Sequence, residues 1–165
     1  MKRTTILLLL LSTIFYSGCY SFKDVSIPPE VKTVHVNYIE NRATYVNPQL
    51  SPQLTDRLRQ KINNQTRLTL IPGDDAHYDI SGAITGYSVS TAGVSDQEAS
   101  TNRLMVTVHI VFKNRLDEKA NFEADISRNF DFNAGLSLQQ AEAQQSEDIL
   151  KNLTDEVFNR IFSNW

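Results

Sequence analysis

The chain has 165 residues, 41% of them hydrophobic, and a formal net charge of −3. This composition is sufficient for one domain with its own core. The single cysteine, Cys19, excludes an intramolecular disulfide framework and any metal site built from several cysteines. The acidic balance argues against a nucleic-acid-binding protein, because such proteins usually carry a basic surplus.

The first eighteen residues have the pattern of a secretory signal peptide. Basic residues at positions 2 and 3 precede an apolar run over residues 6–11. The apolar stretch is too short for a bilayer-spanning helix, which needs about 20 residues. The small residues Ser17 and Gly18 stand directly before Cys19, so we expect cleavage between Gly18 and Cys19.

Tyr16, Ser17, Gly18 and Cys19 resemble the lipobox of bacterial lipoproteins, in which the cysteine is acylated and becomes the mature N-terminus. Two or more acyl chains anchor a protein stably, whereas one chain binds a membrane only marginally. We therefore predict a covalent lipid on Cys19, and no other cofactor. Losing the two basic residues of the signal would change the net charge from −3 to −5. The alternative is an ordinary cleaved signal that leaves a free thiol.

A strand and a helix are predicted first. Apolar and polar residues alternate from Val31 to Ile39, which favours a strand. Ser51 and Pro52 are typical of a helix start, because serine can cap the first turn and the proline ring fits it. The helix should run to about Thr66 and bury one stripe, formed by Leu54, Leu58 and Ile62.

Three longer strands are predicted over residues 78–90, 104–112 and 122–132, each from alternating apolar positions. The alternation slips at Gly86, which predicts a β-bulge there. The last strand has a polar side with Glu123, Asp125 and Ser127, so the sheet should be covered on one side only.

A long C-terminal helix is predicted after Ser137, which forms a capping box with Gln140. Its apolar residues recur at spacings of three and four and comprise Ile149, Leu150, Leu153, Val157, Ile161, Phe162 and Trp165.

The element order β-α-β-β-β-α predicts an α+β fold. We expect a four-stranded, mostly antiparallel or mixed sheet with two helices packed on one face. The domain should cover residues 31–165, after a signal peptide over residues 1–18 and a lipidated tether over residues 19–30.

The residues do not form a recognisable catalytic or metal-binding pattern. His35 and His109 lie within predicted strands, where a histidine more often satisfies a local hydrogen bond than acts in catalysis. The segment from Asp74 to Asp79 has metal-ligand residue types, but it follows a Pro-Gly turn where solvated carboxylates are common. A metal site needs three or four convergent ligands, so we expect no metal and no enzyme.

Two polar segments, residues 91–102 and 114–121, are predicted as long surface loops, which are frequent places for binding. Four basic residues are expected to cluster at the strand ends around these loops. Such a patch could meet phosphate groups, although solvated hairpin tips are the simpler interpretation. The four residues are Arg103, Lys113, Arg115 and Lys119.

The mature chain resembles the LptE family of lipopolysaccharide-assembly lipoproteins, in its Bacteroidetes-type form. The most specific segment is residues 78–87, which carries the family's D-x-x-G-x-I-x-x-Y strand pattern. Residues 19–22, 29–34 and 68–71 and the C-terminal helix fit as well, in the same order along the chain.

The resemblance implies a protein anchored in the outer membrane on the periplasmic side. It would plug the large LptD β-barrel, assist the folding of that barrel and contact lipopolysaccharide, with Arg103, Lys113, Arg115 and Lys119 as candidate binding residues. The alternative is a lipoprotein activator or scaffold of periplasmic cell-wall synthesis. Such a protein normally needs a long tether, whereas only about ten residues separate Cys19 from the first predicted strand.

Overall fold

The computed structural model describes residues 27–73, 75–95 and 98–163. Cys19, the other lipobox residues and Trp165 lie outside this part of the chain. The elements are, in chain order, β1 (Thr33–Val36), β2 (Glu40–Asn41), α1 (Leu50–Gln65), β3 (Thr69–Leu70), β4 (Tyr78–Ser95), β5 (Glu98–Asn114), a short 3-10 helix (Glu118–Ala120), β6 (Phe122–Asn133) and α2 (Leu138–Phe162).

The sheet is mixed, with strand order β3-β1-β4-β5-β6, and β2 pairs separately with β4. β1 runs parallel to both β3 and β4, whereas β4, β5 and β6 form an antiparallel meander. The predicted bulge is confirmed, because the pairing of β4 with β5 shifts register between Ile84 and Gly86.

Both helices pack on one face of the sheet and share one core with it. Alternate residues of the strands point into this core, as in β5, where Leu104, Val106, Val108 and Ile110 are fully buried. Ile27, which falls in the predicted tether, is also packed into the core. The α+β class and the two helices on one face are therefore confirmed.

Over the described residues the sheet has six strands, not the predicted four. The additional strands, β2 and β3, are two residues long each. A two-residue strand cannot show the alternation on which the prediction depends. Parallel pairing with longer neighbours defines these short strands, and only the folded chain creates that pairing.

The predicted loop over residues 91–102 is wrong. β4 continues to Ser95 and β5 begins at Glu98, so the two strands remain paired as far as the Ser95–Glu98 pair. The segment is rich in small polar residues, which carry no alternating apolar signal. The backbone ladder nevertheless continues there, because it needs no side chain.

The predicted cap of the first helix is also wrong. Gln49 is the N-cap residue, and Ser51 is buried in the first turn. Its hydroxyl has no hydrogen-bond partner within the described residues. Asn47 organises the start instead, since its side-chain oxygen accepts a hydrogen bond from the Gln49 amide at 3.0 Å and its carbonyl accepts one from the Leu50 amide at 3.3 Å. Asparagine is suited to such local turns.

The C-terminal helix forms as predicted. The Gln140 amide donates to the Ser137 hydroxyl at 3.3 Å, and the Ser137 amide donates to the Gln140 side chain at 3.0 Å, which completes the capping box. The helix ends at Phe162 and buries Ile149, Leu150, Leu153, Val157 and Phe162 as expected, and also Phe158. The predicted stripe residue Ile161 is only partly buried. Within the described residues, no helix is both long and apolar enough to cross a membrane.

Candidate functional site

The sheet face opposite the helices is mostly polar, with Met105 and Val111 as apolar exceptions, and no described element covers it; we call it the open face. Cross-strand hydrogen bonds organise it. The hydroxyls of Thr107 and Ser127 are 2.8 Å apart, and Nδ1 of His109 lies 2.7 Å from Oδ1 of Asp125. The predicted polar side of the last strand is confirmed, because Glu123, Asp125 and Ser127 are exposed. The open face is therefore a pre-organised polar surface.

The histidines are held by neighbouring carboxylates or backbone groups. His35 Nδ1 lies 3.0 Å from Oδ1 of Asp79, which also accepts a hydrogen bond from Asn37 at 2.9 Å. His77 Nδ1 accepts a hydrogen bond from the Lys32 amide at 3.0 Å. Over residues 27–73, 75–95 and 98–163, no group of three or more His, Cys, Asp or Glu side chains is arranged to hold a metal ion. Asp74 lies outside these ranges.

The four predicted basic residues do not form one cluster. Arg103 pairs with Asp131 and lies ten residues before Lys113 on the same strand. At about 3.4 Å per residue in an antiparallel strand, ten residues separate the two by roughly 34 Å. Of the four, Lys113, Arg115 and Lys119 share one end of the sheet. This end is where β4 begins and β5 ends, at the pair of Tyr78 with Asn114.

The loop that carries these three cations is built around Asn114. The Asn114 side-chain oxygen accepts hydrogen bonds from the amides of Leu116 and Asp117, at 2.9 and 3.2 Å. Its own amide donates to the side chain of Asn121 at 2.6 Å. Asp117 then caps the 3-10 helix by accepting from the Lys119 amide at 3.2 Å. The loop thus has a defined shape, and its cations point outward and are exposed.

Tertiary folding brings further basic residues to this end, which we call the entry rim because residue 27 enters the domain there. Within the described chain it comprises residues 27–32, 67–73, 75–77, 113–122 and 160–163. A cleft of about 460 Å³ at this end is lined by residues from three of these segments, within 27–31, 114–122 and 160–163, and by Tyr78 and Phe112. Arg160 lies over the ring of Phe122, 5.2 Å from its centroid, and Arg67 donates a hydrogen bond to the Ile27 carbonyl. Sequence reasoning missed Lys32, Arg67 and Arg160, because they come from separate segments of the chain.

A second cleft, of about 550 Å³, lies between the loop before α1 and the first turns of α2. Glu142 is its central group. The Glu142 carboxylate accepts hydrogen bonds from Tyr45 Oη and Asn47 Nδ2, both at 3.2 Å, and from the phenol of Tyr87. The Tyr45 and Tyr87 rings stack with centroids 5.2 Å apart. Nothing in the local sequence around Glu142 indicates this cluster.

Burial and the neighbouring Glu142 carboxylate raise the pKa of Tyr87 far above its ordinary value. Desolvation and the same carboxylate raise the pKa of Tyr45. Both phenols therefore stay protonated and act as donors to Glu142. The cluster ties the loop to α2 and β4.

Two solved structures share this fold. A minor lipoprotein from Acinetobacter baumannii is 14% identical, with a TM-score of 0.52, and the match covers 79% of this chain and 91% of that chain. A protein from Xanthomonas campestris is 10% identical, with a TM-score of 0.53 and coverage of 80% and 84%. Identities this low show a common fold and no more.

Sequence comparison identifies the family. No curated protein sequence matches the chain significantly. A family model described as LptE, lipopolysaccharide-assembly, matches residues 31–161. That range contains every strand and helix of the structure except for Phe162, the last residue of α2. It confirms the resemblance that the 78–87 segment and its companions indicate. The chain therefore belongs to the LptE family of lipopolysaccharide-assembly proteins.

Proposed function

We propose that this chain is an outer-membrane lipoprotein that plugs an LptD-type β-barrel, assists the assembly of that barrel, and contacts the lipopolysaccharide that the barrel inserts. The LptE family is one of non-enzymatic envelope lipoproteins that take part in lipopolysaccharide assembly. The narrower role, including the barrel partner and the outer membrane as location, is our proposal. It includes a covalent lipid on Cys19, attached after cleavage behind Gly18.

The observation that carries the proposal is the open face. The interior of a large membrane barrel is polar and filled with water, so a plug needs a folded core together with a wide polar exterior. The Thr107–Ser127 and His109–Asp125 pairs, which join β5 to β6, provide part of such an exterior. The core lies entirely on the other side of the sheet, between the strands and the two helices.

The short connection to Cys19 favours a partner in the same membrane. Ile27 is already packed into the core, so seven residues, 20–26, connect the acylated cysteine to the folded domain. An activator of cell-wall synthesis would have to reach across the periplasm. That distance is far greater than seven residues span at about 3.3–3.6 Å each.

Affinity purification of the acylated protein from its own membranes tests the proposal. We expect a β-barrel of LptD type to co-purify in a stable complex. Co-purification of a penicillin-binding protein without such a barrel would contradict the proposal and support the role in cell-wall synthesis. A variant with Cys19→Ser is the control for the anchor, and we expect it to lose the barrel.

A further inference from the structure

Charge is unevenly distributed over the domain, and the entry rim is its basic end. Among the described residues, the rim has four carboxylates (Glu30, Asp75, Asp117 and Glu118) and six basic residues (Lys32, Arg67, Lys113, Arg115, Lys119 and Arg160). The rest of the described chain has the opposite balance, with twelve carboxylates against seven basic residues. The rim therefore has a local positive surplus in an acidic protein.

The basic residues of the rim also differ from the others in their contacts. Outside the rim, six of the seven described basic residues form ion pairs, for example Arg57 with Glu147 and Lys61 with Asp155. Lys151 is the exception. None of the six rim cations is within ion-pair distance of a carboxylate belonging to residues 27–73, 75–95 or 98–163. Within those ranges, therefore, no carboxylate pairs with the rim cations, which makes them suited to bind an external anion.

The same end receives the chain from the predicted anchor. Cys19 precedes Ile27 by eight residues, which span at most roughly 29 Å when fully extended. The rim must therefore stay close to the surface of whichever bilayer holds the lipid. Leu116, half exposed (50%), stands among the cations of the Asn114–Asn121 loop and adds an apolar contact.

We propose that the entry rim docks on the anionic phospholipid headgroups of the membrane that holds the anchor, while the lipoprotein is not yet bound to a barrel. This inference rests on the proposed lipidation of Cys19. Ammonium and guanidinium groups bind headgroup phosphates through charge-assisted hydrogen bonds. Basic residues beside an anchor supply the second attachment that holds a domain against a negatively charged surface.

Docking would also set the orientation of the domain. Ser90 pairs with Arg103 on the hairpin of β4 and β5, ten residues from Lys113. The hairpin would then extend from the bilayer by roughly 34 Å, at about 3.4 Å per residue. In this orientation the open face stands upright and is not covered by the membrane surface.

Fluorescence quenching on the acylated full-length protein tests this orientation. The protein is reconstituted into vesicles of phosphatidylcholine with or without phosphatidylglycerol, with a quencher on the headgroups. Because Cys19 is blocked by its lipid, a fluorophore reacts only with an introduced cysteine, at Leu116→Cys or, on the hairpin, at Ser90→Cys. The test variant is Lys113→Gln/Arg115→Gln/Lys119→Gln. The matched control removes three cations elsewhere, in Arg42→Gln/Arg59→Gln/Lys151→Gln.

We expect the Leu116→Cys label to be quenched several-fold more than the Ser90→Cys label in phosphatidylglycerol vesicles. The test variant and high salt should abolish this difference, and the control variant should keep it. Equal quenching at both positions would overturn the docking, even if the barrel complex forms normally. Quenching that requires added lipopolysaccharide would also overturn it, because the rim would then bind lipopolysaccharide and not phospholipid headgroups. If the protein fails to float with neutral vesicles, the proposed anchor fails, and the docking fails with it.

Discussion

Arg103 donates two hydrogen bonds to the Asp131 carboxylate across β5 and β6, at 2.6 and 2.8 Å. The pair is exposed, so its net contribution to stability is small. It nevertheless occupies the guanidinium group, so an anionic ligand would have to displace Asp131 in order to bind Arg103. The pair lowers the pKa of Asp131, chiefly through the hydrogen bonds, and keeps that carboxylate charged. Arg103 is thus a poorer candidate for binding phosphate groups than the loop cations.

This difference predicts which basic residues contact lipopolysaccharide. Replacing Lys113, Arg115 and Lys119 with Gln should reduce the affinity of the purified protein for lipopolysaccharide at least about tenfold, or about 1.4 kcal/mol. Arg103→Gln should change it less than about twofold, since little affinity is lost with a group already paired. Titration of labelled lipopolysaccharide measures both. If Arg103→Gln causes the larger loss, the assignment to the loop is wrong.

The hydrogen bond from Tyr87 to Glu142 is predicted to stabilise the fold. Tyr87→Phe should lower the free energy of unfolding by about 1–3 kcal/mol, because it removes a donor from a carboxylate that the folded chain partly shields. Urea denaturation measures the change. Tyr45→Phe removes a longer bond, of 3.2 Å, from a less buried ring and is the matched control. A larger effect at Tyr45 would contradict this account of the cluster.

Tyr87 also predicts a dependence of stability on alkaline pH. Its pKa is raised in the folded protein, mainly by burial and then by Glu142. The folded state therefore keeps the phenol proton above pH 10, where the unfolded state has begun to lose it. Below about pH 10, Tyr87 should therefore add no pH dependence to the free energy of unfolding. Above about pH 10, the free energy of unfolding should fall as the pH rises. Tyr87→Phe should flatten the decline, leaving a smaller slope from Tyr45 and Tyr78, whose pKa values are also raised. An unchanged slope would contradict the prediction.

Gly82 is predicted to tolerate no side chain. A Cβ there would lie 2.5 Å from the His109 carbonyl oxygen and 2.8 Å from Cδ1 of Ile110. The carbonyl belongs to the backbone of the paired strand, so relief would require moving the ladder. Gly82→Ala should cost about 1–3 kcal/mol of unfolding free energy.

Gly93→Ala, on the same strand, is the control for this substitution. The nearest atom to its added Cβ is the Ser100 hydroxyl, 3.3 Å away at the end of a side chain that can rotate. Thermal denaturation of both variants separates close packing from the general effect of replacing glycine. Equal melting temperatures would show that the close approach of β5 does not determine the cost of Gly82→Ala.

The elements that could be predicted from the sequence are those with a long periodic signal. The alternation in β5 extends over many residues, and the apolar stripe of α2 extends over several helical turns. The strand and the helix are both present in the structure. The two-residue strands and the outer half of the β4–β5 hairpin have no such signal, since backbone pairing alone defines them. The start of α1 failed for a different reason. Asn47 begins the turn earlier than Ser51, and both are good capping residues by type.

The candidate surfaces were predictable only in part. The polar side of β6 follows directly from alternation in one strand, and it forms part of the open face. The entry rim requires Lys32, Arg67, Lys113 and Arg160 to come to one end of the domain from four separate segments of the chain. The Glu142 cluster joins residues as much as 97 positions apart. Long-range assembly of this kind leaves no pattern in a local stretch of sequence.

Site-specific photocross-linking in intact cells tests the proposed contact between the open face and an LptD-type barrel most directly. A photoreactive residue replaces Met105, which is 42% exposed on the open face, or Gln144, which is exposed on the outer side of α2. We expect a cross-link to the barrel from position 105 at much higher yield than from position 144. A barrel cross-link from position 144 with none from position 105 would contradict it.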